Sequence, residues 1–161
     1  MEIKEGHVRY IVIGMIIVII LSFWYAHIAG KKQDEQYLKS YNQFNQAVQL
    51  MTKNQFAEAK PLLKEVEEKH PNSALVKRYL GLTLANAGEL KPAITKMKTA
   101  LNLNPYLVED PIFMLQFAEI LVFAGEKKEA RLVLERCKTL PPPADMPDYQ
   151  QKVDALVQET L

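Results

Sequence analysis

The chain has 161 residues, enough for about one domain, and its 20 lysines and arginines nearly balance its 19 aspartates and glutamates. This balance argues against a nucleic-acid partner, because nucleic-acid-binding proteins usually carry a basic face. Apolar residues make up 48% of the chain and charged residues 24%, which argues against disorder over most of its length. The single cysteine, Cys137, cannot form a disulfide within the chain.

The N-terminal part is predicted to contain a transmembrane helix after a short tail at residues 1–9. Residues 10–30 contain no Asp, Glu, Lys or Arg. As a helix they would span roughly 31 Å, close to the ~30 Å hydrocarbon core of a bilayer. Tyr10 at one end and Trp24 and Tyr25 at the other fit the interfacial positions that aromatic residues prefer. The apolar region is longer than a signal peptide's and lacks a small-residue cleavage site, so we expect it to remain as an anchor.

A 34-residue period follows the anchor, and a third copy comes after three extra residues. Each copy contains a small residue, a residue that tolerates positive φ, a second small residue, a bulky aliphatic residue and a proline. The positions are Ala47, Asn54, Ala59, Leu63 and Pro71, then Gly81, Gly88, Ala93, Met97 and Pro105, then Ala118, Gly125, Ala130, Leu134 and Pro142. Small residues let helices approach closely, Asn or Gly ends the first helix, and proline ends the second. The pattern predicts three stacked helical hairpins, since one hairpin alone would leave its apolar side exposed.

This spacing resembles the tetratricopeptide repeat over about residues 40–143. The resemblance implies an all-α fold, in which a single N-terminal transmembrane helix precedes a helical solenoid of three tetratricopeptide repeats and a C-terminal capping helix. The predicted bounds are 10–30 for the transmembrane helix, 31–143 for the repeat domain, about 40–73, 74–107 and 111–143 for the three repeats, and 144–161 for the capping helix. The family's early aromatic residue is missing, because Gln43, Lys77 and Met114 stand in its place.

The C-terminal capping helix is also predicted from its own residues. Tyr149, Val153, Leu156 and Val157 follow one another at helical spacing and would form one apolar stripe. Pro147 suits the first turn of such a helix. We expect this stripe to cover the last repeat, since the end units of solenoids need a cover of this kind.

The resemblance also implies a binding groove, because tetratricopeptide proteins generally bind peptides or partner proteins on the first helices of their repeats. The groove positions carried over are Tyr41, Phe44, Val48, Met51, Leu75, Arg78, Leu82, Asn86, Ile112, Leu115, Glu119 and Phe123. Members that bind chaperone tails hold a carboxylate with Lys and Asn, but Phe44 and Val48 replace the first such pair here. The predicted ligand is therefore a protein, or an apolar or amphipathic peptide, without a carboxylate clamp.

No catalytic, cofactor or metal site is predicted, and the chain is not expected to be an enzyme. His7, His27 and His70 are scattered over the chain, and neither ligand spacing nor a phosphate-binding glycine loop occurs. Cys137 falls where the repeat normally packs a small residue, so it is predicted to be structural.

The first functional hypothesis is a membrane-anchored adaptor or scaffold that binds a partner in the groove during assembly of a membrane or envelope complex. It resembles small bacterial envelope proteins with an N-terminal anchor, which implies a bacterial cell membrane and a repeat domain outside the cytoplasm. The basic residues that flank the span do not decide this orientation. One alternative is a receptor for targeting segments with a cytosolic repeat domain, and another is a structural homo-oligomer without a client.

Overall fold

The computed structural model describes residues 5–161, so the first four residues of the predicted tail lie outside the described residues. Across this range the chain is helical and contains no strand, which confirms the all-α fold class. The elements are α1 (Glu5–Thr52), α2 (Phe56–Lys69), α3 (Ala74–Asn86), α4 (Leu90–Leu103), a 3-10 helix (Pro105–Glu109), α5 (Pro111–Phe123), α6 (Lys127–Thr139) and α7 (Tyr149–Glu159). The chain divides into two compact units, Met1–Tyr41 and Asn42–Leu161.

The first unit contains the N-terminal part of α1. This helix continues without a break through residue 30, where the predicted membrane span ends, because no proline interrupts it and Gly30 is a tolerated helix residue at this position. The side chains of residues 9–28 are all exposed. By length and composition, this is the part of α1 that could cross a membrane.

In the second unit, the three turns that join paired helices share one hydrogen-bonding pattern. In each turn, the second residue after the end of the first helix adopts a positive φ. The values are 59° for Asn54, 80° for Gly88 and 74° for Gly125. One residue later, a backbone N–H donates to the carbonyl five residues back at 2.9 Å, from Gln55 to Leu50, from Glu89 to Leu84 and from Glu126 to Leu121. These are the closing bonds of Schellman motifs, so the predicted helix ends are confirmed.

The small and bulky residues of the repeat pattern form the core of this unit. The five alanines at the small-residue positions and the three aliphatic residues that follow them are all 0% exposed: Ala47, Ala59, Ala93, Ala118, Ala130, Leu63, Met97 and Leu134. Gly81 is buried as well. Close packing of α3 on α4 and of α5 on α6 therefore rests on the positions that the spacing identified.

The three extra residues between the second and third repeats form part of the 3-10 helix and the start of α5. The Asp110 carboxylate accepts hydrogen bonds from the backbone N–H groups of Ile112 and Phe113, both at 2.9 Å. Pro111 occupies the first helical position, where its missing N–H costs nothing. The insertion thus supplies Asp110 as the N-cap of α5.

The capping helix α7 is shorter than the predicted range of residues 144–161. It begins at Tyr149, two residues after Pro147, so this proline precedes the helix and does not lie in its first turn. The prolines at positions 141–143 and 147 explain the difference, since they donate no backbone hydrogen bond and disfavour helix in the residues before them. Tyr149, Val153 and Leu156 are buried, and α7 packs on α5 and α6 of the third repeat.

Candidate functional site

A cleft with a volume of about 450 Å³ lies between α3 and α5 in the second unit. This size falls within the range of roughly 300–1,000 Å³ that is typical of ligand-binding pockets. The lining side chains come from the C-terminal half of α3, from the middle and C-terminal end of α5, and from the start of α4. They are Leu82, Ala85, Asn86, Leu90, Gln116, Glu119, Ile120 and Phe123.

Four of the residues predicted for the groove line this cleft, namely Leu82, Asn86, Glu119 and Phe123. Ala85, another of the repeat's groove positions, also lines the cleft. The sequence reasoning missed Leu90, Gln116 and Ile120, although the helical spacing held a signal for the last two. On α5 the lining follows the series 116, 119, 120 and 123, which is a single face of an α-helix. Extending the face from Glu119 and Phe123 by three and four residues would have identified Gln116 and Ile120.

Leu115 does not line an accessible groove, contrary to the expectation. It is 3% exposed and belongs to the hydrophobic core. The physical reason is that α5 has α3, α4, α6 and α7 packed around it, so most of its faces are covered. Ile112, at the start of the same helix, is partly buried and lies outside the cleft lining.

Arg78 is occupied by contacts within the protein. Its Nη1 atom donates to the Asp110 carboxylate at 2.9 Å, and its Nε and Nη2 atoms donate to the Gln116 amide oxygen at 3.1 and 2.8 Å. The guanidinium also lies over the Phe113 ring, 5.5 Å from its centroid. All three nitrogens already have acceptors, so Arg78 joins α3 to α5 and does not present a free cation to a ligand.

The predicted groove residues of the first repeat pack against α3. The Phe44 ring meets the Tyr79 ring edge-on at a centroid distance of 5.1 Å. The Met51 sulfur lies 3.2 Å from the oxygen of the buried Thr83 hydroxyl, which donates to the Tyr79 carbonyl oxygen at 2.8 Å. Val48 is partly buried. Phe44 and Met51 thus contact α3, and none of the three residues lines the cleft.

Two further predicted groove residues are more than half exposed. Tyr41 belongs to the first unit and is 55% exposed, and Leu75 at the start of α3 is 52% exposed. Neither lines the cleft. The cleft is therefore formed by the second and third repeats.

Glu119 is the one ionisable residue among the side chains that line the cleft. Burial raises the pKa of its carboxyl above the usual value, because a charged carboxylate loses hydration there. The positive charge of Lys152 on α7 partly opposes this effect. The cleft thus combines an apolar lining, two neutral amides and one poorly solvated acid.

The groups that could support catalysis or bind a metal do not converge in the described part of the chain. Residues 5–161 contain no group of three or more His, Cys, Asp or Glu residues placed to hold a metal ion. Cys137 is fully buried, and burial raises the pKa of its thiol. The Tyr149 hydroxyl donates to the Cys137 carbonyl oxygen at 3.1 Å, which fits a structural role for both residues.

Comparison with known proteins identifies the fold. No protein-family model matches the sequence, and no curated protein matches it. Among solved structures, the chain is similar to the TPR2B-domain:pHsp70 complex of yeast Sti1, with a TM-score of 0.64 and 17% sequence identity over 76% of this chain and 96% of that chain. It is also similar to the TPR2AB-domain:pHSP90 complex of yeast Sti1, with a TM-score of 0.63 and 17% identity over 88% of this chain and 55% of that chain. The chain spans about half of the latter. These similarities confirm the tetratricopeptide-like fold.

Proposed function

We propose that this protein is a membrane-anchored adaptor or scaffold that binds a partner protein or peptide in the cleft between α3 and α5. The cleft itself is the observation that carries the proposal. Leu82, Leu90 and Ile120 provide apolar lining, and Phe123 is 74% exposed beside them. Exposed apolar side chains around a cavity of this size are typical of a surface that binds a ligand.

The comparison structures support peptide binding as the general activity. Both are tetratricopeptide domains of yeast Sti1 in complexes with pHsp70 or pHSP90. We take from them only that domains of this fold bind other proteins, since Phe44, Val48 and the occupied Arg78 argue against a carboxylate clamp in this chain. The same comparisons, which are with domains in complexes with other proteins, support a protein without enzymatic activity.

Membrane anchoring through residues 10–30 is the second part of the proposal. The exposed side chains of this stretch are almost all apolar, and in water they would form a surface far larger than soluble proteins normally expose. A bilayer would cover this surface. We propose a location in the bacterial cell membrane, with the repeat unit outside the cytoplasm and acting in the assembly of a membrane or envelope complex.

Photo-crosslinking from the cleft tests the binding function. Phe123 is replaced by p-benzoylphenylalanine in the full-length protein, which is expressed in its native membrane and irradiated. Leu132 on α6 is the matched control, because it is 75% exposed and lies outside the cleft lining. We expect a crosslinked partner protein from position 123 and none of that mass from position 132.

The crosslinked products also separate the adaptor from its alternatives. A product with the mass of two copies of this chain would support the homo-oligomeric structural role instead. Crosslinks to newly made precursors of many proteins would support a receptor for targeting segments. Equal products from positions 123 and 132 would show that the cleft is not the binding site.

Protease treatment of intact and lysed cells tests the orientation. If the repeat unit lies outside the cytoplasm, protease added to cells with a permeable outer layer digests it before lysis. Protection until lysis would contradict the proposed location and favour a cytosolic repeat unit.

A further inference from the structure

We propose, on the basis of the proposed function, that the cleft selects peptides that carry a lysine or arginine beside an apolar side chain, with Glu119 as the residue that binds the cation. The ligand is a segment of a partner protein. The preferred ligand is thus positively charged, whereas a ligand held through its carboxylates is negatively charged.

The first argument is that the Glu119 carboxylate has no salt-bridge partner in the cleft. In the described part of the chain, no Lys, Arg or His nitrogen lies within 4.0 Å of its carboxylate. Lys152, which is the cation that influences it from α7, pairs with Asp148 at 3.1 Å. A partly buried carboxylate without a partner has lost hydration, and a cation placed beside it would offset that loss. A ligand ammonium or guanidinium would supply that cation.

The second argument is that the only arginine beside the cleft is unavailable to an acidic ligand. Arg78 pairs with Asp110 at 2.9 Å and donates two further hydrogen bonds to the Gln116 amide oxygen. None of the other residues that line the cleft is basic. An acidic side chain or a C-terminal carboxylate would therefore approach Glu119 without a basic residue in the cleft lining to offset the repulsion, which costs binding free energy.

The third argument is that the surroundings of Glu119 suit the rest of such a peptide. Phe123 lies four residues after Glu119 on the same face of α5, so its exposed ring can stack on the aliphatic stem or the cationic head of a bound Lys or Arg. Leu82, Leu90 and Ile120 provide apolar surface for a neighbouring side chain. The site thus offers a cationic and an apolar position together.

Two side-chain amides complete the cleft with hydrogen-bonding groups for a peptide backbone. The Asn86 amide nitrogen donates to the Leu82 carbonyl oxygen at 2.9 Å, so its oxygen is left to accept from a ligand N–H. The Gln116 oxygen accepts from Arg78, so its amide nitrogen is left to donate to a ligand carbonyl. Neither amide discriminates by charge, and the charge preference therefore rests on Glu119.

Binding of two defined peptides tests the proposal. The probes are fluorescein-labelled dodecapeptides with the same leucine and serine positions, one with two lysines and the other with two glutamates at the remaining variable sites. The full chain is held in nanodiscs of zwitterionic lipid, and binding is followed by fluorescence anisotropy with empty nanodiscs as the blank. We expect the lysine peptide to bind at least tenfold more tightly than the glutamate peptide.

Variants assign the preference to Glu119. Glu119→Gln keeps the size of the side chain and should reduce the lysine-peptide preference to less than threefold, and Glu119→Lys should reverse it. Glu126→Gln is the matched control, because it removes the same charge from an exposed residue outside the cleft lining and should leave the preference unchanged. Circular dichroism on each variant confirms that the helices remain folded.

Each other outcome overturns the charge selection. Equal binding of both peptides, with competition between them, would disprove it and leave peptide binding in place. An unchanged preference in Glu119→Gln would assign the selection to another residue. Binding of neither peptide would contradict this inference, and the crosslinks from position 123 would then show independently whether the adaptor function also fails. A crosslinked dimer would identify a second copy as the occupant in place of a partner peptide.

Discussion

Gly81 on α3 lies so close to Met97 on α4 that a Cβ atom added at Gly81 would be 3.1 Å from the Met97 Cγ and Sδ atoms and 3.3 Å from the Ala93 carbonyl oxygen. The methionine side chain can move, but the carbonyl belongs to the backbone of the neighbouring helix. Gly81→Leu should therefore push the two helices apart.

For Gly81→Leu we expect a loss in the free energy of unfolding at the upper end of about 1–3 kcal/mol. The melting temperature, followed by circular dichroism on the full chain, should fall by on the order of 4 °C for each kcal/mol. Gly14→Leu is the control, because an added Cβ there has nothing within 4 Å. An unchanged melting temperature for Gly81→Leu would contradict the close packing of α3 on α4.

Arg78→Lys should also destabilise the second unit. Lysine keeps the positive charge, but its compact ammonium lacks the planar fork that meets Asp110 and Gln116 together, and it loses the contact with the Phe113 ring. We expect a loss of roughly 1–3 kcal/mol in the free energy of unfolding, measured by urea denaturation. Lys64→Arg, at an exposed site on α2, should have no effect and controls for the substitution type. If Arg78→Lys left the free energy of unfolding unchanged, the hydrogen bonds to Gln116 would contribute little to stability.

Glu67 should stabilise the protein at neutral pH and lose this effect in acid. Burial favours its neutral form, but the hydrogen bonds to Lys77 and Lys96, both at 2.6 Å, outweigh burial and lower the pKa of its carboxyl. Because the pKa is lower in the folded state, this stabilisation is present above the unfolded value near 4.5 and disappears as the pH falls through the folded value.

We therefore expect Glu67→Gln to lower the free energy of unfolding by about 1–2 kcal/mol at pH 7, with the difference from the wild type shrinking in acid. Urea denaturation of both proteins at pH 7 and at an acidic pH below 4.5 measures this difference. Glu68→Gln, at the neighbouring exposed position, should have no comparable effect. A difference that is the same at both pH values would rule out the ionic origin.

Glu119 should show the opposite pH dependence. Its pKa is raised by burial, so the folded state binds its proton more tightly than the unfolded state does. Its contribution to the free energy of unfolding therefore falls as the pH rises from the unfolded value near 4.5 through the raised folded value. The charged group that faces it, Lys152, reduces this effect without reversing it, and Cys137 stays neutral because its own pKa is raised.

At pH 7, Glu119→Gln should be as stable as the wild type or more stable, and this advantage should shrink as the pH falls toward 4.5. Thermal unfolding at a series of pH values measures the difference. A large destabilisation by Glu119→Gln at pH 7 would mean that the carboxylate already has a strong partner within the protein, which would also weaken its assignment as a free binding group.

The helical repeat was predictable because its requirements recur at fixed spacing along the sequence. A small residue where helices approach and a residue with positive φ where a helix ends are local needs, and Gly81, Gly88 and Gly125 meet them directly. The same spacing placed Leu82, Asn86, Glu119 and Phe123 on the helix faces that line the cleft. For these four residues, helical periodicity alone determines which face of α3 or α5 carries the side chain.

Other features depend on neighbours that are distant in sequence. The burial of Leu115 follows from the packing of α7 and three other helices around α5, and the occupied state of Arg78 follows from Gln116, 38 residues later. The continuity of α1 beyond residue 30 was also not foreseen, since a change from apolar to charged composition does not by itself end a helix. Such features require knowledge of which surfaces meet.

The cover that α7 places over the third repeat gives the protein a built-in chemical reporter. Cys137 is the only cysteine, it is fully buried, and its carbonyl oxygen receives the Tyr149 hydroxyl from α7. A thiol reagent can reach this sulfur only when the segment above it moves away. The rate of labelling therefore reports how often the third repeat or its α7 cover opens, and it does so in the unmodified protein.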